Sequence, residues 1–272
     1  MEVCRSGYYK YLQSKLCQRD ILENKLVIEV KALAKESRNS YGSRMMAKHL
    51  QIKGYCVGRY AARTLMRKAG IECKQRRRYR ITTQSNHEFV IAKNILNREF
   101  SVNAPNRIWL ADITYLWTLE GWLYIAAILD LFSRRVVGWA MENHMRETLV
   151  NEALQMALGR RQPKQGLLHH SDRGVQYASD NYQSALSAAG ITVSMSRKGN
   201  CWDNSVMERF FGSLKAERTN NTIYKTREEA KADIIDYIEM FYNSKRLHST
   251  LNYVTPIQFE NQFLLKNLST FT

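Results

Sequence analysis

Three strand-like runs, residues 108–117, 122–130 and 134–141, follow one another with almost no chain between them. The stretches that part them, Leu119-Glu120-Gly121 and Leu131-Phe132-Ser133, are short enough for antiparallel hairpins. The period then changes. A helix is expected over 146–158, a short strand over 167–170, a second helix over 179–189 and a strand over 191–195, with further helices behind them. That is an α/β order, giving a mixed five-stranded sheet flanked by helices. Pro105 marks the entry to this region, and 106–265 is expected to form one domain.

Three carboxylates in this domain sit in differently built segments. Asp112 interrupts a run, residues 108–116, that is apolar on both faces, where a lone ionised acid is costly unless a cation neutralises it. Asp is also disfavoured inside strands, so a metal ion explains it better than chance does. Asp172 follows Leu167-Leu168-His169-His170-Ser171, just past the carboxyl end of a strand, the rim where α/β sheets expose their chemistry. An Asp before Arg173-Gly174 is equally a turn former, and both readings stand. Glu208 follows Asp172 with 35 residues between them. Ser205-Val206-Met207-Glu208 fits a capping box, in which Glu208 merely reaches back to the helix start. Against that as the whole account, Glu208, Gly212 and Lys215 share one helical face. Gly212 weakens a helix by about 1 kcal/mol relative to Ala and opens room for DNA backbone between an acid and a cation. Asp203 or Asn204 could cap instead. Such a trio of acids can hold metal ions against a phosphodiester. Asp130 and Asp203 have easy roles as turn and cap residues. His169 and His170 are adjacent and point to opposite faces, so at most one could face the acids, and packing is favoured for both.

The charge lies elsewhere. Residues 31–80 carry fifteen Lys/Arg against Glu36 and Glu72, thirteen of the sixteen net positive charges. A polyanion is therefore gripped first by an amino-terminal module, residues 1–73. A helix is expected over 20–36. Two short helices, each ending at a glycine (Gly54, Gly70) and studded with Arg44, Lys48, Arg59 and Arg63, read as a helix-turn-helix-like element or, more blandly, a helical hairpin; the charge excess favours DNA binding. Residues 74–105 read as a basic linker, with Arg76, Arg77 and Arg78 lying along phosphates and a short helix over 86–100. Five scattered cysteines lack the spacing of a zinc site or a disulfide framework. No apolar run approaches a membrane span and no leader opens the chain, so a reducing, cytoplasmic location is expected.

The runs WLADITYLW, GWLYIAAILDLFSRRVVGW, HHSDRGVQY, GNCWDNSVMERFFGSLKAE and YNSKRLHSTLNYVTP together resemble the integrase core of the IS-three-type bacterial insertion-sequence transposases, in their second-frame (OrfB) protein. The resemblance covers about residues 106–259. Upstream, RSGYYKYL and SYGSRMMAKHLQIKGYCVGRYAARTLMRKAGI resemble the helix-turn-helix-like region that precedes that core. The resemblance implies a ribonuclease-H-like fold related to retroviral integrases. It implies a D-D-E triad at Asp112, Asp172 and Glu208 holding two Mg²⁺ or Mn²⁺ ions, and Lys215 in contact with the element's end. Family enzymes usually act as a fusion with an upstream-frame (OrfA) product. That protein, a second copy of this chain on DNA, and the element's terminal repeats and target DNA are the implied partners, in a bacterial, nucleoid-associated setting. The amino-terminal zinc domain of retroviral integrases is not carried over, because the Cys and His for it are lacking.

The expected activity is metal-dependent nicking at the element's end and transfer of the freed 3′-OH to target DNA. Two alternatives remain at this stage: a hydrolytic nuclease of the same fold, and a DNA-binding regulator active only with the upstream-frame protein.

Overall fold

A computed structural model describes residues 4–13, 17–73, 91–198 and 200–268. The chain divides into two compact units, 1–74 and 75–272. No described helix is long and apolar enough to cross a membrane.

The first unit is all-α: α1 (Arg5–Gln13), α2 (Gln18–Glu36), α3 (Ser43–Ile52) and α4 (Arg59–Lys68). α3 and α4, ten residues each, are too short to hold their shape alone, and with α2 they close their apolar stripes on one another through Val30, Leu33, Met46, Leu50, Ala62 and Leu65, all buried. Gly54 and Gly70 take left-handed φ of 88° and 69° just past α3 and α4. The next amides, Tyr55 and Ile71, bond back to the Leu50 and Met66 carbonyls at 3.0 and 2.9 Å, which closes the helix ends as the sequence implied.

The second unit is built on β1 (Ile108–Thr118), β2 (Gly121–Asp130), β3 (Val136–Glu142), β4 (Leu168–Ser171) and β5 (Thr192–Met195). Their order is β3-β2-β1-β4-β5. The first three pair antiparallel, while β4 pairs parallel with β1 and with β5. Helices α5 (Glu147–Arg161), α6 (Val175–Ala178) and α7 (Asp180–Ala188) come between the later strands; α8 (Ser205–Glu217), α9 (Arg227–Ile235) and α10 (Pro256–Leu268) follow. One face of the sheet packs Leu110, Leu116 and Ile125 against Met207, Phe210 and Leu214 of α8 and against Tyr237 and Phe241 of the π-helical stretch Asp236–Tyr242. The other packs Trp109, Ala111, Ile128 and Val137 against α5 and α7. β2 is covered on both faces, which is why its run is apolar without alternation. Helix α5 can approach β3 only because residue 138 is Gly: a Cβ there would fall 2.2 Å from the Ala153 carbonyl oxygen and 2.8 Å from the Ala157 Cβ.

Two expectations need correction. β3 begins at Val136 rather than 134, because Arg134 (φ 60°) completes a tight turn in which its amide donates to Asp130 and the Asp130 amide donates to Arg135, both at 2.8 Å. No helix forms over 91–100, the described part of the span expected to hold one. There the amides of Ile95 and Leu96 donate to Ser194 Oγ at 2.9 and 3.2 Å, and Leu96 is buried in the core. A side-chain acceptor and a long-range apolar contact thus take what a helix would have used. Residues 74–90, including Arg76, Arg77 and Arg78, lie outside the described residues.

The YNSKRLHST run is largely structural. Asn243 accepts from the Val136 amide at 2.9 Å and donates to the Val136 carbonyl at 3.0 Å, closing the edge of β3. Arg246 grips Glu217 through Nε and Nη2 at 2.9 and 2.6 Å, and the Tyr237 hydroxyl donates to the same carboxylate at 2.9 Å.

Candidate active site

β4 pairs with β1 only over Ile108–Leu110, the last couple being Leu110 with His170. Asp112 and Asp172 each lie two residues beyond that couple, Asp112 within β1 and Asp172 just past the end of β4. Side chains alternate along a strand, so Asp112 shares its face with Leu110 and Leu116, the face covered by α8. Beyond Leu110 the β4-side edge of β1 is open. Asp172 also accepts the Gly174 amide at 2.9 Å, so the turn reading of that residue holds alongside its place on the rim.

Glu208 is in the first turn of α8. The capping box is not formed: the helix starts at Ser205, its cap position is Asn204, and no side chain caps it. Asn204 instead donates Nδ2 to the Ala111 carbonyl at 3.1 Å, pinning the start of α8 to the residue before Asp112. Glu208 is left half-buried, and burial raises its pKa. The Asp112 carboxyl is pushed well above the usual range, first by burial and then by the Asp172 and Glu208 charges, against the Ile113 amide and Lys215. Lys215, half-buried two turns along α8, has its ammonium pKa lowered by burial and supported by Asp112. Asp172, Glu208 and Lys215 are therefore all close enough to Asp112 to act on its charge.

Among the described residues no three Asp, Glu, His or Cys side chains close tightly enough to enclose an ion, so the acids form an open trio. Its chemistry nevertheless suits a hard divalent cation. The donors are all carboxylate oxygens, and the mutual repulsion that lifts Asp112 is what a cation would relieve. Asn204 Oδ1 and the Tyr177 hydroxyl are buried without a hydrogen-bond partner beside them. The Tyr177 phenol is raised well above its ordinary value by burial, with Tyr182, Asp112 and Asp172 adding to the effect.

The competing groups are engaged elsewhere. Asp203 takes Arg197 Nη2 and Nε at 2.9 and 3.0 Å and Arg98 Nε at 2.8 Å, and its pKa is held low chiefly by Arg197. Asp130 accepts the amides of Asn106 and Phe132 at 2.7 and 2.9 Å. Both histidines are core residues: His169 Nε2 meets the Tyr182 hydroxyl at 2.9 Å, and His170 sits between Ser194 and Ser196 at 2.9 and 3.1 Å. Sequence reasoning passed over Tyr177, although it closes the HHSDRGVQY run, and weighed Asn204 only as a cap; a partner 93 residues away is invisible to local pattern.

In the first unit Arg44 and Lys48 lie on α3, and Arg59 and Arg63 on α4, all exposed and each pair one helical turn apart.

Comparison with known proteins places these observations in a family. An integrase core domain matches residues 102–201, a second integrase core domain family matches 208–264, and an HTH-like domain matches 22–79. The chain is 42% identical over 261 residues to the insertion element IS600 uncharacterized 31 kDa protein of Shigella sonnei, covering 96% of each chain. It is 37% identical over 266 residues to the transposase InsF for insertion sequence IS3A of Escherichia coli, covering 97% of this chain and 92% of that one. A chain in the cryo-EM structure of the simian T-cell lymphotropic virus intasome in complex with PP2A regulatory subunit B56 gamma matches with TM-score 0.48 and 17% identity, over 85% of this chain and 74% of that one. The chain belongs to the IS3-family insertion-sequence transposases, enzymes of the integrase, polynucleotidyl-transferase type.

Proposed function

We propose that the enzyme nicks the ends of its insertion sequence and joins the freed 3′-OH to target DNA, with Asp112, Asp172 and Glu208 holding two Mg²⁺ or Mn²⁺ ions. The observation that supports the reading is that Asp112 of β1, raised first by burial, is raised further by the charges of Asp172 at the end of β4 and Glu208 of α8. When bound, the ions supply activation of the attacking oxygen and neutralisation of the departing 3′ oxygen. In the first step a water oxygen attacks phosphorus, the P–O3′ bond breaks and a 3′-OH is released. In the second that 3′-OH attacks another phosphodiester, one P–O bond forming as another breaks, so no outside energy source is required. Lys215 holds a non-bridging phosphate oxygen, and Asn204 keeps Glu208 at a fixed height beside Asp112. The first unit grips DNA through Arg44, Lys48, Arg59 and Arg63. A second copy of this chain and the upstream-frame protein are its partners on the element's ends.

The test is strand transfer with Mn²⁺ on oligonucleotides bearing the inverted repeats that flank the coding frame. Asp112→Asn, Asp172→Asn and Glu208→Gln each abolish nicking and joining while DNA affinity stays within about twofold, since phosphate contacts dominate binding. Joined product from any one variant removes that residue from the triad. Nicking without joining by the unaltered chain favours the hydrolytic nuclease. If the chain binds ends but acts only when the upstream-frame protein is supplied or fused, the regulator reading gains.

A further inference from the structure

The open edge of β1 continues past the acids into a groove. From Asp112 the edge runs to Thr118, where a parallel bridge to Tyr224 ends it and the Leu119 amide donates to the Tyr224 carbonyl at 3.0 Å. The groove there has a volume of about 340 Å³ and is lined by Tyr115, Trp117, Leu119, Trp122, Ile223 and Lys215, among others. Its apolar surface is not filled by the fold: Trp117 is 56% exposed, Trp122 43% and Ile223 81%. The Trp122 ring stands edge-on between Tyr115 and Trp117, with centroids at 5.1 and 4.8 Å and interplanar angles of 87° and 78°. Such a brace keeps flat apolar rings at the surface, where a core would have folded them in.

The groove is in step with the cleft. Asp112 and Tyr115 are three residues, roughly 10 Å, apart along β1 and point to opposite faces of it, so cleft and groove meet around the open edge of the strand, where Lys215 stands, and not along one face. Glu208 and Lys215 are seven residues apart on the helix alongside, again roughly 10 Å. Hence Asp112 faces the Glu208 end, and Lys215 stands over the Tyr115 ring at 5.3 Å. A track with metal-binding acids at one end and a cation beside exposed aromatics at the other fits a DNA strand better than a protein partner. The acids take a phosphodiester, the lysine takes a phosphate, and every base offers a flat π-face to stack. Stacked nucleotides rise about 3.4 Å each, so 10 Å is a reach of about three.

We propose that this groove receives one unstacked base of the strand that carries the scissile phosphate, about three nucleotides from it, with Lys215 on the intervening phosphate. The proposal rests on the strand-transfer reading for the identity of that strand. Drawing out one base would anchor the register of the cut without reading sequence, since stacking tolerates any base.

The experiment is a cycle of affinities, measured with the full chain and no added divalent metal, so that chemistry does not enter. The DNA is the element-end duplex, intact or with an abasic nucleotide at each of the first six positions from the cut. Trp117→Leu with Trp122→Leu weakens binding to the intact end on the order of tenfold. An abasic nucleotide near position three weakens binding to the unaltered protein similarly, and the two losses do not add. Both tryptophans are exposed, so a thermal melt close to that of the unaltered chain is expected, and the abasic arm uses unaltered protein throughout. Losses that add at every position overturn the proposal. So does unchanged DNA affinity with a shift of the variant to a smaller species in sedimentation, which would make the groove a contact between copies. Failure of the underlying reading is a separate result, seen as Asp112→Asn retaining strand transfer.

Discussion

The acid sensitivity of the second unit can be worked out from two side chains. His169 and His170 are 1% and 0% exposed, and burial, with their mutual repulsion acting on His169, lowers them from about 6.5 to about 3 and about 4. Between those values and 6.5 the unfolded chain binds protons that the folded chain refuses, so stability rises with pH across that window and is lost as pH falls. From pH 7.5 to 5 each histidine costs about 2 kcal/mol, and the pair ~4 kcal/mol, against a total of roughly 5–15 kcal/mol for a domain. His248, lowered to about 3 by burial and by Arg246, Arg134 and Arg209, acts in the same direction. Asp112 acts in the opposite one: its raised pKa makes the folded chain the better proton binder, so its contribution falls as pH rises. Glu260 is depressed, because Arg161, Ser133 and Arg135 outweigh its burial, and its contribution is lost only below the ordinary carboxylate range. A difference between variants therefore isolates the histidines better than the absolute curve does. The assay is urea unfolding followed by tryptophan fluorescence from pH 5 to 7.5. All five tryptophans (109, 117, 122, 139 and 202) lie in the second unit, so the signal does not come from the helical one. His170→Gln should remove one proton from the slope, about 1.4 kcal/mol per pH unit between pH 5 and 6. A slope identical to that of the unaltered chain would refute the assignment of His170 as a neutral core residue.

Arg246→Met leaves the Glu217 carboxylate buried beside Tyr237 without its cation and should cost about 3–5 kcal/mol, read as a lowered urea midpoint. Gly138→Ala drives a methyl into the α5 backbone and should destabilise by about 1–3 kcal/mol or more, whereas Gly159→Ala, where a Cβ meets nothing within 4 Å, should not; equal midpoints would contradict the close packing of β3 on α5. Arg59→Ala and Arg63→Ala should each reduce the slope of log affinity for DNA against log salt by about 0.9, and an unchanged slope would remove α4 from the phosphate contacts. Neutralising Arg76, Arg77 and Arg78 together should flatten that slope further, and if it does not, the stretch is not a phosphate-binding linker.

Much of this protein is legible in the order of its residues. Strand runs, glycine-ended helices and the concentration of charge before residue 81 are local properties, set by backbone periodicity and composition, and they give five strands, the two short helices of one hairpin-like element and the most basic part of the chain without knowledge of any contact. Asp112 was conspicuous for the same reason, since an acid in a run apolar on both faces has no local explanation. Tertiary structure decided what depended on partners far along the chain. Glu208 is released from a capping role because Asn204 reaches Ala111, and Asp203 is removed from the candidate acids by Arg98 and Arg197. His169 and His170 become core because Tyr182, Ser194 and Ser196 close over them. Residues 91–100 are not helical because Ser194, about a hundred residues away, takes the amides of Ile95 and Leu96. Hydrogen bonding and burial are settled by which groups meet, and the short pairing of β4 with β1 leaves β1 without a β4 partner beyond Leu110, on the stretch that carries Asp112 and, further along, the aromatic groove.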